Sequence, residues 1–243
     1  MTVLVGILCK DGVVIGADSA STFVAGTLRT IEQPTTKIEI ISGSIILAGT
    51  GAIGMKQRFA HIVEECWAER KFQKDAVTVS TLLSKLARNN FAETQAPRGT
   101  FGALLAFPVH KKLSLCEFDL TDFQPELKTP HMWYVSMGGG QPITDPFLGF
   151  IRSIFWTDGK PPVCQDGIFA AVWAIQEAID LNPGGINGPI RIATLTSNEK
   201  GEPTARMLEA DEIEEHHQNV KGAKAHLRRY REAPAAPIPE PPR

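Results

Sequence analysis

The chain has 243 residues and lacks the sequence signals of several large classes of protein. It contains no run of about eighteen apolar residues, so we predict no membrane-spanning helix. Its first residues show neither a basic region nor a small-residue cleavage pattern, so we expect no secretory signal and a cytoplasmic location. A formal net charge of -2 at pH 7 is too small to favour nucleic acid or an anionic membrane as a partner.

Metal and cofactor motifs are also missing. The four cysteines have no CxxC spacing, and the six histidines share no spacing typical of metal ligands. The glycine run at 138–140 lacks the GxGxxG spacing of a dinucleotide site. We therefore predict no metal and no cofactor, and we interpret the cysteines as reduced thiols of the core.

The sequence does contain short apolar strands and amphipathic helices in a regular order. Strands are predicted at residues 3–9, 13–17, 37–41, 45–48, 101–107, 112–118, 133–136 and 190–195, and short turns join the first four into two hairpins. The helices are predicted in consecutive pairs, at residues 59–67, 77–91, 143–156 and 167–181. Paired strands indicate antiparallel sheets, and paired helices argue against a βαβ fold. The pattern predicts an α+β protein, a four-layer αββα sandwich of two antiparallel sheets flanked by helix pairs.

The C-terminal part of the chain differs in composition from the rest. Residues 1–210 form one predicted globular domain. Residues 211–232 begin with acidic and end with basic side chains, which suits a helix dipole, so we predict a charged helix there. Residues 233–243 are rich in proline and are expected to be extended and flexible.

The start of the chain carries residues suited to acyl transfer. When Met1 is removed, Thr2 supplies both a hydroxyl nucleophile and an α-amino base that titrates near neutral pH. Asp18 ends the second strand of the first predicted hairpin, and the hairpin returns it beside Thr2. Lys37 begins the next strand, where its charge would favour the alkoxide and Asp18 would hold it in position.

These segments resemble the β-type subunits of the 20S proteasome and their bacterial relative HslV. The resemblance rests on Thr-Val-Leu-Val-Gly-Ile-Leu from residue 2, Lys-Asp-Gly-Val-Val-Ile-Gly-Ala-Asp-Ser from residue 10, Lys37-Ile38 and Ala48-Gly49. It is specific over about the first 55 residues and looser through 136–140 and beyond. Among the bacterial branches, the chain resembles the beta-proteobacterial proteasome homologue or Anbu. The resemblance implies the fold of the N-terminal-nucleophile hydrolases, ring assembly and peptide-bond hydrolysis.

The resemblance also implies roles for individual residues. Thr2 matches the nucleophile and Asp18 matches the carboxylate. Lys37 matches the catalytic lysine, and Gly49 matches the glycine whose amide stabilises the oxyanion. Three match positions that bind the substrate, with an apolar preference, and these are Leu47, Gly51 and Met55. The implied partners are a peptide or unfolded protein as substrate and further copies of the chain in a ring. A separate ATP-dependent unfoldase is a further implied partner, because this chain has no P-loop.

Three supporting positions depart from the family pattern. The family's Gly-Ser-Gly turn is replaced by three glycines, so the serine hydroxyl near the threonine amine is missing at Gly139. Ser136 lies close by in sequence, but on the strand and not in the turn. Asp180 matches the later aspartate of the family only approximately, because the loop that follows it has a different length.

The sequence leaves three functions open. The first is a self-assembling threonine peptidase subunit. The second is a ring-forming scaffold of the same fold with weak or absent activity, which the glycine at 139 and a retained Met1 would favour, because a blocked amine cannot act as a base. The third is a small-molecule amidase of the same wider class, which a monomer or dimer in solution would favour.

Overall fold

The computed structural model describes residues 1–25, 28–181 and 184–232. Within these residues the five α-helices are α1 (Ile53–Ala68), α2 (Ala76–Glu93), α3 (Gln141–Phe155), α4 (Cys164–Leu181) and α5 (Ala210–Glu232). The strands before α2 are β1 (Leu4–Leu8), β2 (Gly12–Ala17), β3 (Ala20–Ala25), β4 (Leu28–Pro34), β5 (Ile38–Ile41) and β6 (Ile45–Gly51). The later strands are β7 (Phe101–Val109), β8 (Lys112–Phe118), β9 (Pro125–Leu127), β10 (Tyr134–Met137), β11 (Arg191–Ser197) and β12 (Pro203–Met207).

Two five-stranded antiparallel sheets form the centre of the molecule. Sheet 1 has the strand order β10-β1-β2-β11-β12, and sheet 2 has the order β5-β6-β7-β8-β9. In sheet 1, Leu4 lies opposite both Met137 and Ala17. The start of β1 is therefore paired on both sides, and this pairing determines where the N-terminus lies.

Strand alternation sends side chains from each sheet into two different apolar layers. Between the sheets, Leu4 and Ile15 of sheet 1 pack with Ile46 and Leu104 of sheet 2. On the outer face of sheet 2, α1 and α2 cover a cluster centred on the fully buried Phe59. Burial of such a side chain stabilises the fold by about 1.5–3 kcal/mol.

The outer face of sheet 1 is covered by three helices, α3, α4 and α5. The predicted αββα fold is confirmed: the predicted pair α3 and α4 covers this face, and α5 packs beside α4 as a third helix. Ile213 and Val220 of α5 are buried in the same cluster as Ile168 and Val172 of α4. Helix α5 thus belongs to the packed layer, and the predicted domain boundary at residue 210 stays a prediction.

The structure adds one hairpin to the predicted strands and gives the state of the cysteines and helices. No strand is predicted between Asp18 and Lys37, but β3 and β4 pair there as a two-stranded antiparallel hairpin. The proline-rich segment 233–243 lies outside the described residues. All four cysteines are buried free thiols. In the described part of the chain, none of the helices has the length and apolar character needed to cross a membrane.

Candidate active site

Thr2 is held by the backbone of sheet 1. It comes just before β1, is partly buried, and its carbonyl accepts a hydrogen bond from the Gly140 amide at 3.1 Å. Two residues later Leu4 enters the sheet opposite Met137. The position of Thr2 is therefore set by the end of β10 and the turn that follows it.

Asp18 follows β2 directly and has no exposed surface. One carboxylate oxygen accepts the Val3 amide at 2.8 Å, and the other accepts the Ala20 amide at 3.2 Å. The Asp18 amide in turn donates to the Val3 carbonyl at 3.3 Å. The first hairpin therefore brings Asp18 to the residue next to Thr2, as the sequence pattern predicts.

Lys37 completes this group from the other sheet. Its side chain comes from the residue before β5, and only 6% of its surface is exposed. Its Nζ donates to Asp18 Oδ1 at 2.5 Å and to the Met1 carbonyl oxygen at 3.4 Å. The ammonium therefore lies beside the peptide bond that joins Met1 to Thr2.

Burial dominates the electrostatics of the Lys37–Asp18 pair. Desolvation lowers the pKa of Lys37 from its ordinary value of 10.5, and the adjacent Asp18 carboxylate opposes that shift. The carboxylate also has two backbone amide donors, which offset part of its own cost of burial. The result is a fixed pair of opposite charges at the start of β1, shielded from water.

Gly49 lies on β6, beside Lys37 of the neighbouring strand. Its amide donates to the Lys37 carbonyl at 3.3 Å, so this amide is paired within sheet 2. A Cβ at position 49 would lie 2.9 Å from Lys56 Cγ and from the Phe101 ring, so close packing against α1 requires glycine here. The predicted role of the Gly49 amide at an oxyanion stays a prediction.

The glycines at 138–140 let the turn after β10 lie directly against the N-terminus. Gly138 has a φ of +90°, and a Cβ there would overlap the Thr2 carbonyl oxygen. A Cβ on Gly140 would lie 2.6 Å from Val3 Cβ. These two glycines are therefore required by the close approach of two backbones, whatever the chemistry of the site.

Gly139 differs from its neighbours because only a flexible side chain faces it. A Cβ at this position would lie 3.0 Å from Met1 Sδ. The Met1 side chain thus covers the position where the family carries a serine. Removal of Met1 would open this space beside the new amine of Thr2.

The structure does not bring the other two supporting residues to Thr2. Ser136 is buried, and its hydroxyl donates to the Asp145 carboxylate of α3 at 2.5 Å. Asp180 is exposed near the end of α4 and accepts a hydrogen bond from Gln176 at 2.7 Å. Strand register and helix orientation thus direct both side chains to other partners, and their supporting role stays a prediction.

The three predicted substrate-binding residues differ in their accessibility. Leu47 has no exposed surface and packs in the core under α1, so it does not line an open pocket in this structure. Gly51 is exposed, but its φ of +97° and the 2.0 Å that would separate a Cβ there from the Thr100 carbonyl oxygen explain the glycine structurally. Met55 is partly exposed, and its sulfur accepts a hydrogen bond from the Thr100 hydroxyl at 3.2 Å. Of the three, Met55 alone presents a side chain to a cavity.

One residue near the site was not selected from the sequence. Thr50 is 7% exposed, and its hydroxyl lies 3.0 Å from the position that a Cβ on Gly138 would occupy. Strand alternation places Thr50 on the opposite face of β6 from Gly49, and alternation alone does not say which of the two faces the glycine turn. Among the described residues, no cluster of three or more His, Cys, Asp or Glu side chains could hold a metal ion.

Three comparisons with known proteins find relatives of this chain. The family model described as "Proteasome subunit" matches residues 2–121. Proteasome subunit beta 1 of Thermococcus sibiricus is 30% identical over 181 residues, which cover 73% of this chain and 79% of the relative. The solved structure of Anbu (ancestral beta-subunit) from Yersinia bercovieri superposes with a TM-score of 0.71 at 11% identity, covering 97% of this chain and 99% of that one.

The architecture is therefore the fold of the Anbu structure, with two antiparallel sheets between layers of helices. With a 30% identical relative of which most is covered, the chain belongs to the proteasome subunit family. The resemblance noted in the first residues of the sequence is thereby confirmed. At 11% identity the Anbu structure supports the fold alone.

Proposed function

We propose that this chain is a self-assembling threonine peptidase subunit whose nucleophile is Thr2, exposed when Met1 is removed. One observation carries the proposal. The buried ammonium of Lys37 lies 2.5 Å from the Asp18 carboxylate and 3.4 Å from the carbonyl that precedes Thr2. A fixed cation at this point suits a threonine hydroxyl that must react as an alkoxide.

The proposed reaction uses the two functional groups of an N-terminal threonine. The Thr2 hydroxyl attacks a peptide carbonyl, and its proton passes through a water molecule to the Thr2 amine. The amine then protonates the leaving amine of the substrate, and a second water hydrolyses the acyl ester. Lys37 stabilises the alkoxide, and Asp18 positions Lys37. The Gly49 amide would have to share its hydrogen bond to the Lys37 carbonyl, which is long at 3.3 Å, with the oxyanion.

The proposed substrates are peptides or unfolded proteins, and the proposed assembly is a homo-oligomeric ring in the cytoplasm. An internal chamber would admit extended chains and exclude folded ones. A separate ATP-dependent unfoldase would then supply the unfolded chains. Family membership supports this part of the proposal, because proteasome beta subunits form oligomeric rings.

The test is the intact mass of the purified protein before and after a threonine-directed epoxyketone or β-lactone. We expect loss of Met1 and one adduct that maps to Thr2. Thr2→Ala should abolish the adduct, while Thr204→Ala, at an exposed threonine of β12, should leave it unchanged. Unchanged labelling of the Thr2→Ala protein would exclude the assignment.

A ring-forming scaffold with little or no activity is the second candidate. It is favoured by Gly139, which carries no hydroxyl and is covered by the Met1 side chain. If the chain is a scaffold, the mass should show Met1 retained and no adduct, while sizing still shows a ring. Retained Met1 in a monomer would exclude both candidates.

A further inference from the structure

The cavity to which Met55 presents its side chain lies on the outer side of sheet 2. It has a volume of about 560 Å³ and lies between the C-terminal half of α2, the segment 96–101 and the turn 120–125. Phe91, Phe101 and Phe123 line it and are almost fully buried. Met55, predicted above to bind substrate, also lines it, whereas Thr2, Asp18 and Lys37 do not.

The phenylalanines form a single aromatic cluster. The Phe101 and Phe123 rings are stacked with centroids 5.5 Å apart, and Phe91 meets Phe123 edge-on at 5.5 Å. Hydrogen bonds hold the segments that carry these rings. Ser84 of α2 donates to the Phe123 carbonyl at 2.7 Å, and the Ala96 amide donates to the Phe91 carbonyl at 3.0 Å. The apolar floor is therefore preformed and does not have to be ordered by a ligand.

Three cations surround the mouth of this cavity. Lys85 and Arg88 lie one turn apart on α2, and Arg98 comes from the segment on the opposite wall. All three are exposed, and within residues 1–25, 28–181 and 184–232 none forms a salt bridge. Asp122 shares the lining, and one of its oxygens accepts the Gln124 amide at 3.0 Å. The mouth therefore carries an excess of positive charge above an aromatic floor.

We propose that this cavity binds a small organic carboxylate with an aromatic or alkyl body. The body would lie against the phenylalanines, and the carboxylate would meet Arg88 and Arg98, whose planar guanidinium groups fit two oxygens at once. A volume of this size is within the range of sites that enclose a small molecule. We choose a carboxylate over a phosphate as the head group because Asp122 at the same mouth offsets one of the three cations, and a carboxylate brings less negative charge.

The test uses the Thr2→Ala protein, so that its outcome does not depend on the proposed catalysis. Calorimetric titration with 4-phenylbutyrate is compared with its neutral amide, 4-phenylbutyramide, and with acetate, which has the head group but no body. We expect the carboxylate to bind about tenfold more tightly than the amide, and acetate not to bind measurably. Equal binding of the acid and the amide, or equal binding of acetate, would overturn the proposal.

Variants then test the named side chains. Arg88→Gln with Arg98→Gln should lower the affinity for 4-phenylbutyrate to that of the amide, and circular dichroism should show the fold unchanged, because both side chains are exposed. Arg228→Gln, at an exposed arginine of α5, is the matched control and should bind like the parent. Full binding by the double variant would refute the assignment. Tighter binding of phenyl phosphate than of phenylacetate would also refute the carboxylate class.

Discussion

The buried ion pair between Asp18 and Lys37 makes a quantitative prediction about stability. Asp18→Asn keeps the shape and one acceptor for the Val3 amide, but it leaves the Lys37 ammonium buried without its counter-charge. Breaking a buried pair in this way costs about 3–5 kcal/mol. With a urea m-value of about 3 kcal/mol/M, the unfolding midpoint should fall by about 1–1.7 M. Asp18→Asn combined with Lys37→Met removes both charges and should recover most of this loss.

The assay is a double-mutant cycle in urea, with every variant at the same protein concentration, because assembly would shift the midpoints. We expect a coupling free energy of about 3 kcal/mol between positions 18 and 37. The matched control is the exposed pair of Arg206 and Glu212, whose atoms are 2.8 Å apart and whose coupling should stay below about 1 kcal/mol. If both cycles give the same small coupling, the inference that the pair at the start of β1 is shielded from water is wrong.

Three further predictions follow from single side chains. Gly51→Ala should lower the free energy of unfolding by at least about 2 kcal/mol, because the backbone at Gly51 is left-handed and crowded. Gly54→Ala, with open space around the residue, should be neutral or slightly stabilising. The urea midpoints of the two variants test this difference. Gly139→Ser should speed labelling of the N-terminal threonine about tenfold once Met1 is gone, and an unchanged rate would show that the missing hydroxyl is unimportant. Burial lowers the pKa of His216, despite two nearby carboxylates, so the unfolded chain binds a proton there before the folded chain does. The free energy of unfolding should therefore fall as the pH decreases from 6.5 through the lowered pKa of the folded state. His216→Gln should flatten that part of the plot of urea midpoint against pH. An identical plot for the variant would contradict the argument.

Most of the fold could be predicted, because most strands belong to two buried sheets and their apolar residues follow a clear strand pattern. The turn at residues 10–12 identifies the first hairpin, and β1 and β2 pair around it. The β3–β4 hairpin escaped prediction because it forms its own two-stranded sheet, and Ile31 in it is 51% exposed. An exposed apolar residue in a strand outside the two main sheets breaks the alternation from which a strand is recognised.

Some features of the candidate site could likewise be predicted from the sequence, and others could not. Closure of the first hairpin is a local event, and it was enough to predict that Asp18 returns to the start of β1. The direction of Ser136 and the burial of Leu47 depend on which face of each strand turns toward a helix. Alternation separates Gly49 from Thr50, but packing of the two sheets decides which of them faces the glycine turn after β10. That choice is a property of the assembled sandwich and not of any local pattern.

The hydrogen bond from the Val3 amide to Asp18, and that from Lys37 to the carbonyl before Thr2, make the proposed chemistry conditional on complete folding. Thr2, Asp18 and Lys37 come from separate segments of the chain. Lys37 reaches the other two only when sheet 2 has packed on sheet 1. A nascent or misfolded copy would therefore carry an ordinary, weakly reactive threonine. On the proposed mechanism, such a copy could not damage itself or its neighbours, so the protein would need no separate inhibitor during synthesis.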